Sequence, residues 1–331
     1  MSFLIIGTGK RVENLIIPTL IILKKNFSIC GRNSEKLYYL SRKYNIDNDK
    51  IFSIEIIKSK IEYFDDIIFS LPSSLYYEKF QFIFQNLKNK EINIYFETPF
   101  LPPLRNIFLL RNKKFNFITI EDGAYRPINY ILEKSEEIFQ SKLNRVYSYK
   151  SLYFYHGLSF FKTICKKRLD YASMTKVNKN KKYLFRFDKI LCLMTYSRNY
   201  DDCFSFYEYE DFIILDKQFN KTNVIPNFNK KIYYFKRIFD NKVLQSVHLF
   251  DNNNKLIIDY DLNINKLHEG LLKKLHYQDQ ERIYSLINIF NEKHCYRFSS
   301  HIKDVLTIYI LNKIKFFHKI IFHNFLVSLF K

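Results

Sequence analysis

The sequence predicts an α/β chain in two parts: an N-terminal doubly wound parallel sheet, then an α+β domain built on an open, mostly antiparallel sheet. Three observations predict it. The first half alternates short β-branched runs with longer helical patterns, the signature of βαβ units. Its strand candidates carry apolar residues on both parities, as strands do when helices cover both faces. After about Leu143 the rhythm changes to long Tyr- and Phe-rich runs separated by turn signals. A chain of 331 residues has room for about two domains, and the change of rhythm sets the expected division at 1–122 and 123–331.

In order, the strand candidates of the first part are Phe3 to Ile6, Phe27 to Cys30, Ile67 to Ser70, Ile92 to Phe96 and Phe115 to Ile120. Between and after them, 3.6-residue apolar spacing predicts helices at Val12 to Lys25, Ser34 to Tyr44, Ser74 to Asn86, Pro103 to Asn112 and Pro127 to Phe139. The second part is read as strands at Val146 to Tyr155, Tyr183 to Tyr196, Cys203 to Leu215, Lys231 to Phe239, Leu244 to Phe250 and Lys255 to Tyr260. Asp251-Asn252-Asn253-Asn254 marks a hairpin loop between the last two. Two helices, Tyr277 to Phe290 and Ser299 to Phe317, close the chain.

The formal charge of +20, from 53 Lys plus Arg against 33 Asp plus Glu, raises nucleic-acid binding first. The basic residues are scattered as single lysines through most elements. With two alanines, six glycines and no tryptophan beside abundant Lys, Asn, Ile, Phe and Tyr, the charge reads as AT-rich codon usage, and no specific nucleic-acid partner is expected. The densest basic stretch is Lys166 to Lys189. Five widely spaced cysteines without a CxxC pair read as reduced, buried thiols. A strand-like run begins at Ser2 with no apolar leader before it, so a cytoplasmic protein without a signal peptide is expected. The apolar run Val305 to Lys331 is broken by Lys313, Lys315, His318, Lys319 and His323. It falls short of the roughly 20 clean residues of a membrane span and reads as an amphipathic closing helix, with a membrane-surface anchor as the alternative.

Chemistry enters where the first strand runs into Gly7-Thr8-Gly9-Lys10-Arg11-Val12 and then a helix. This is the G-x-G-x-x-G fingerprint of a Rossmann domain with valine in the third glycine slot. Gly7 allows the tight turn, Gly9 the close approach of a pyrophosphate, and the helix N-terminus favours its charge. Val12, in the slot that serves helix packing, loosens the fit without removing the phosphate site. The second strand ends in Cys30-Gly31-Arg32-Asn33-Ser34, without the carboxylate that binds the ribose hydroxyls of NAD. Arg32, with Asn33 or Ser34 beside it, suits a 2′-phosphate instead, so NADP is the expected cofactor and NAD its alternative. The competing reading makes Ser34 a helix N-cap and Arg32 a solvated loop residue.

These residues resemble the Gfo/Idh/MocA family of NAD(P)-dependent oxidoreductases. Leu15-Ile16-Ile17-Pro18-Thr19-Leu20 is similar to the family's first helix, and Asp65-Asp66-Ile67-Ile68-Phe69-Ser70-Leu71-Pro72-Ser73-Ser74 to its fourth strand and T-P-P turn. Glu97-Thr98-Pro99 stands where the family has E-K-P, and Asp122-Gly123-Ala124-Tyr125-Arg126-Pro127 where it has G-x-x-x-R-x-x-P. The resemblance implies a cofactor site formed by Gly7, Thr8, Gly9, Lys10, Arg11, Arg32, Asn33, Ser70, Leu71, Pro72, Glu97 and Pro99. It also implies a small-molecule substrate and a homodimer formed through the outer face of the second sheet.

The departures bear on the reaction. Thr98 replaces the family lysine, and a hydroxyl cannot supply the positive charge that stabilises a developing alkoxide. Tyr155-His156-Gly157-Leu158-Ser159 is the candidate for the family's D-x-G-x-H, with Tyr155 in the Asp slot and Ser159 in the His slot. His156, Tyr125 and Thr98 are the catalytic candidates; His156 titrates near neutrality and suits a proton donor. The expected activity is hydride transfer between a nicotinamide and a small carbonyl or imine, in the manner of the thiazolinyl imine reductases, which resemble this chain in lacking that lysine. The alternatives are a sugar or polyol dehydrogenase and a catalytically silent relative that binds a nucleotide or serves as a scaffold for a partner protein. His294, Cys295 and His301 lack the paired spacing of a closed zinc site, so no metal is expected. Gln278, Asp279 and Arg282 read as a solvated or ion-paired helix face.

Overall fold

The computed structural model describes residues 2–71, 91–97, 115–120, 127–149, 154–177, 180–195, 204–217, 229–262, 268–292, 298–314 and 316–318. The chain forms two compact units, one of residues 1–125 with 264–302, the other of residues 126–263 with 303–331. The sequence-based division after residue 122 assigns every closing helix to the second part. Residues 264–302 instead join the first, because the helix Tyr277–Glu292 packs on the first helix of that unit.

In the first unit six strands, β1 (Ser2–Ile6), β2 (Asn26–Gly31), β3 (Ile51–Ser53), β4 (Asp66–Phe69), β5 (Ile92–Glu97) and β6 (Phe115–Ile120), form one sheet in the order β3-β2-β1-β4-β5-β6. Every pairing is parallel. Alternate residues of β1 show why it reads as unbroken apolar sequence. Leu4 and Ile6 join a buried cluster with Cys30, Phe52, Ile67, Phe69, Ile94 and Phe96. Phe3 points the other way, against Tyr95 and Phe290, the latter from the helix Tyr277–Glu292. Strand order reverses between β1 and β4, the topological switch at which open α/β sheets bind ligands.

The expected strands fall within a residue or two of the observed ones, and Ser34–Tyr44 forms as expected. The short edge strand β3 was not anticipated, since three residues carry no periodicity. The helix after β1 begins at Lys10 and passes through a π-helical turn, Val12–Ile16, before the α-helical Ile17–Ile22. Val12 is wholly buried, so the widened turn starts where a β-branched side chain fills the glycine slot. The expected helices at 74–86 and 103–112 lie outside the described residues.

In the second unit ten strands form one mixed sheet, and all but two of its neighbouring pairs run antiparallel. They are β7 (Leu143–Tyr149), β8 (Tyr171–Val177), β9 (Asn180–Phe187), β10 (Ile190–Thr195), β11 (Phe204–Tyr209), β12 (Phe212–Lys217), β13 (Lys231–Asp240), β14 (Val243–Phe250), β15 (Leu256–Asp261) and β16 (Phe316–His318). Their order is β15-β14-β13-β12-β11-β7-β10-β9-β8-β16, with β7/β10 and β12/β13 the parallel pairs. The helices Pro127–Phe139 and Phe154–Cys165 cover one face: Phe139 meets Phe212 and Tyr233, and Phe161 meets Phe185.

Four of the elements expected from the sequence take another form. The runs 183–196 and 203–215 are hairpins rather than single strands, turned at Asp188-Lys189 and Glu210-Asp211 without glycine; Asp188 takes φ 57° while its N–H donates to the Asp170 carboxylate. The run 146–155 ends as a strand at Tyr149, and Phe154 already begins a helix. The last helix stops at Ile314, and Phe316–His318 pairs with β8 instead of continuing it.

The basic stretch is engaged locally: Lys166 pairs with Glu133, Lys181 donates to Asn312, and Arg186 lies over Tyr171. Cys30, Cys165 and Cys192 are buried free thiols. Cys165 and Cys192 lie 3.5 Å apart, and burial together with the neighbouring sulfur pushes the Cys192 thiol well up. Among the described residues no helix is long and apolar enough to cross a membrane, and no group of three His, Cys, Asp or Glu is placed to hold a metal. Arg282 pairs with Asp279, as expected of that helix face.

Candidate functional site

The parallel register brings three chain segments to one edge of the six-stranded sheet. Ile6 pairs with Cys30 on one side and with Phe69 on the other, so Gly7, Gly31 and Ser70 leave their strands side by side. The Gly7 N–H donates to the Cys30 carbonyl at 2.9 Å, and the Ser70 N–H to the Ile6 carbonyl at 3.0 Å. Gly7 has φ +134°, and a Cβ there would stand 2.0 Å from the Ser70 carbonyl oxygen. Only glycine fits that backbone and that approach.

Gly9 differs in kind. Among the described residues nothing lies within 4 Å of the position its Cβ would take, so in them the loop opens outward at the residue that precedes the helix. Unpaired N–H groups of a helix N-terminus and the positive end of its dipole attract phosphate. This open cradle, with exposed Lys10 beside it, fits the pyrophosphate of a dinucleotide. Gly31 allows a further close approach, since a Cβ there would meet the Thr8 methyl at 2.6 Å.

At the end of β2, Arg32 is exposed. Asn33, not Ser34, caps the next helix, its side-chain oxygen accepting from the Lys36 N–H at 2.8 Å. That oxygen is therefore committed to the backbone. On the other side of the switch, Glu97 ends β5 one residue beyond the Phe69–Phe96 pairing. Its carboxylate is buried, with a side chain 7% exposed, and forms an ion pair with Arg11 at 2.6 Å, Arg11 keeping 31% exposure. Sequence reasoning singled out both residues separately; their union across 86 positions had no local signal. Leu71 packs against the sheet core.

The loop is held by a network that sequence reasoning missed. Glu13, in the π-helical turn, accepts from Lys36 and Lys43 at 2.7 Å each and from the Tyr39 hydroxyl at 2.8 Å, while Tyr44 donates to its carbonyl oxygen. Burial alone would raise the Glu13 carboxyl, but the hydrogen bonds from Lys36, Lys43 and Tyr39 outweigh it and bring it down to about 2. The helix that carries the glycine loop is thereby tied to the helix that follows Arg32. The partners stand 23 to 31 residues away, too far for any local pattern.

In the second unit His156 falls on the helix Phe154–Cys165. On the same helix a Cβ on Gly157 would stand 2.0 Å from the Met194 sulfur, so glycine lets the helix lie close on β10. Ser159, in the slot of the family histidine, is wholly buried. A bidentate pair, Arg237 to Asp216 at 2.8 and 3.3 Å, is buried between neighbouring strands. Pro72, Thr98, Pro99 and Tyr125, and the side-chain surroundings of His156, lie outside the described residues.

The six-stranded order, the switch point and the glycine loop define the class: a two-unit α/β protein whose first unit has a Rossmann-like parallel sheet. No protein-family model matches the sequence, and no curated protein matches it. Solved structures do share the fold. Among them are an aldose-aldose oxidoreductase from Caulobacter crescentus complexed with glycerol (9% identity, TM-score 0.63, 95% of this chain and 96% of that one) and an oxidoreductase from Agrobacterium radiobacter in complex with NAD+, L-tartaric acid and magnesium (9%, 0.61, 92% and 93%). A third is a Gfo/Idh/MocA family oxidoreductase from Vibrio cholerae (13%, 0.54, 86% and 94%). The chain therefore has the Gfo/Idh/MocA oxidoreductase fold over nearly its whole length.

Proposed function

We propose that the protein is a nicotinamide-dependent oxidoreductase acting on a small carbonyl or imine substrate. The observation that carries this reading is the Gly7–Gly9 loop: Gly7 is locked against Ser70 at the switch point, while Gly9 leaves open space over a helix N-terminus. The bound cofactor supplies hydride to, or accepts it from, the substrate carbon. The chain's own residues bind and orient: Gly9 and Lys10 receive the pyrophosphate, and Arg32 receives the adenosine ribose. With no carboxylate in Cys30-Gly31-Arg32-Asn33 and Arg32 exposed, NADP(H) is the preferred cofactor. His156 or Tyr125 delivers the proton to the substrate oxygen or nitrogen, with Thr98 as a neutral hydrogen-bonding partner.

The imine reading rests on Thr98, which brings no charge for an alkoxide. The polyol alternative is favoured by the fold shared with an aldose-aldose oxidoreductase, and the catalytically silent alternative by burial of Ser159 in the histidine slot. A cytoplasmic location belongs to this reading, as does a homodimer through the sheet face that carries Tyr147, Ile232 and Tyr234; sedimentation velocity tests the dimer.

The deciding experiment is calorimetric titration with NADPH and NADH, with Gly9→Glu as control. Tight NADPH binding that the control abolishes supports the reading, and a substrate screen then separates imines from polyols. Absence of binding by either cofactor overturns it in favour of the silent relative.

A further inference from the structure

Two thiols meet in the core of the second unit. On the helix Phe154–Cys165, Leu158, Phe161 and Cys165 stand at i, i+3 and i+7 and are all buried, so one face of the helix carries them onto the sheet. Cys192 of β10 is wholly buried and pairs with Val146 of β7 and Phe185 of β9. The two sulfurs stand 3.5 Å apart. A single buried cysteine packs as a small apolar residue, whereas two in contact have a reaction open to them. A disulfide sets its sulfurs about 2.05 Å apart, so closure asks for an approach of about 1.5 Å. The two thiols differ in access. Cys165 is the last residue of its helix and is followed by Lys166, which takes φ 50° and has an exposed side chain; helix ends open more readily than interiors. Burial pushes the Cys192 thiol well up, which keeps it a neutral thiol until Cys165 has reacted.

We propose that Cys165 and Cys192 are an oxidant-responsive dithiol, a modification site at which a hydroperoxide closes a disulfide between the helix Phe154–Cys165 and β10. The peroxide O–O bond breaks as the Cys165 sulfur takes one oxygen, giving a sulfenic acid and one water. The Cys192 sulfur then attacks the Cys165 sulfur; the S–S bond forms, the S–O bond breaks, and the departing hydroxyl leaves with the Cys192 proton as a second water. Two thiols lose two electrons and two protons, and the peroxide takes up both. The bridge closes a loop whose ends lie 27 positions apart and fixes the helix that bears His156 to the strand on which its Gly157 rests. It is independent of the cofactor reading, since both cysteines belong to the second unit.

The test exposes the folded, reduced full-length protein to hydrogen peroxide, quenches, alkylates the remaining thiols under denaturing conditions and maps the peptides by mass spectrometry. The expected result is a cross-linked peptide joining Cys165 to Cys192, two hydrogen atoms lighter than its reduced parts, with Cys30, Cys203 and Cys295 alkylated. The melting temperature of the treated protein should rise by about 5–10 °C through the shorter unfolded loop, a rise that dithiothreitol reverses and that Cys165→Ser and Cys192→Ser each abolish. Recovery of both cysteines as alkylated thiols overturns the proposal. So does peroxide that carries Cys165 to the sulfinic acid without a bridge, and so does a bridge that involves Cys30, Cys203, Cys295 or a second copy of the chain. Should either serine variant fail to fold, the peptide map of the unaltered protein decides alone: the Cys165–Cys192 cross-link supports the dithiol and its absence overturns it.

Discussion

Gly7 and Gly9 sit two residues apart and make opposite demands. In Gly7→Ala the new Cβ would stand 2.0 Å from the Ser70 carbonyl oxygen at φ +134°. The oxygen belongs to backbone that is itself hydrogen-bonded to β1, so it cannot swing aside as a side chain would. Backbone strain at such a φ costs roughly 1–3 kcal/mol, and forcing a methyl into packed structure about 1–3 more. A loss of about 3 kcal/mol is expected, or a melting point lower by roughly 6–12 °C for a unit of this size. In Gly9→Ala the methyl enters open space at a residue without positive φ. Stability should be unchanged or higher by up to about 1 kcal/mol, through the less flexible unfolded chain, while NADPH affinity falls because the methyl occupies the approach of the pyrophosphate. The assay is urea unfolding beside calorimetric titration for both variants. Equal destabilisation by the two substitutions would refute the division of roles, and so would full cofactor affinity in Gly9→Ala.

Other expectations follow from the same structure. Because Glu13 is held down to about 2 from an ordinary 4.5, its stabilisation is complete above about pH 4.5 and is lost as pH falls toward 2. The shift corresponds to on the order of 2–3 kcal/mol, and the acid dependence of urea unfolding over that window should flatten in Glu13→Gln. Gly157→Ala meets the flexible Met194 side chain, its sulfur at 2.0 Å, so a loss of about 1–2 kcal/mol is expected. A double-mutant cycle with Met194→Val should show most of it recovered; additive losses would contradict the assigned contact. Asp216→Asn leaves Arg237 buried without its carboxylate and should cost about 3 kcal/mol, much of it restored when Arg237→Met is added, as calorimetric melting would show.

Much of the first unit was legible because its signals are local. The strand and helix periods of β1 and Ser34–Tyr44 repeat within one element, and the glycine loop is contiguous with the strand that positions it. Hairpins turned at Asp188-Lys189 and Glu210-Asp211 were not legible, since neither carries the glycine or asparagine that usually marks such turns. The strand-to-helix change between Tyr149 and Phe154 was hidden by aromatic residues that suit both periods. In the site, the different duties of Gly7 and Gly9 were legible from the motif, but the Ser70 carbonyl that confines Gly7 was not, because Ser70 lies far along the chain.

The sequence by itself determined the alternation of strands and helices, the parallel character of the first sheet and the placing of a glycine loop at its first turn, because period and turn chemistry act over a few residues. Tertiary structure alone decided that β1 lies between β2 and β4, that Tyr277–Glu292 returns to the first unit, that β12 and β13 run parallel, and that Arg11 meets Glu97. Those pairings join residues far apart in the chain. They are chosen by the burial and charge balance of the finished fold, which must offset the entropy of closing long loops, and no local propensity records that choice.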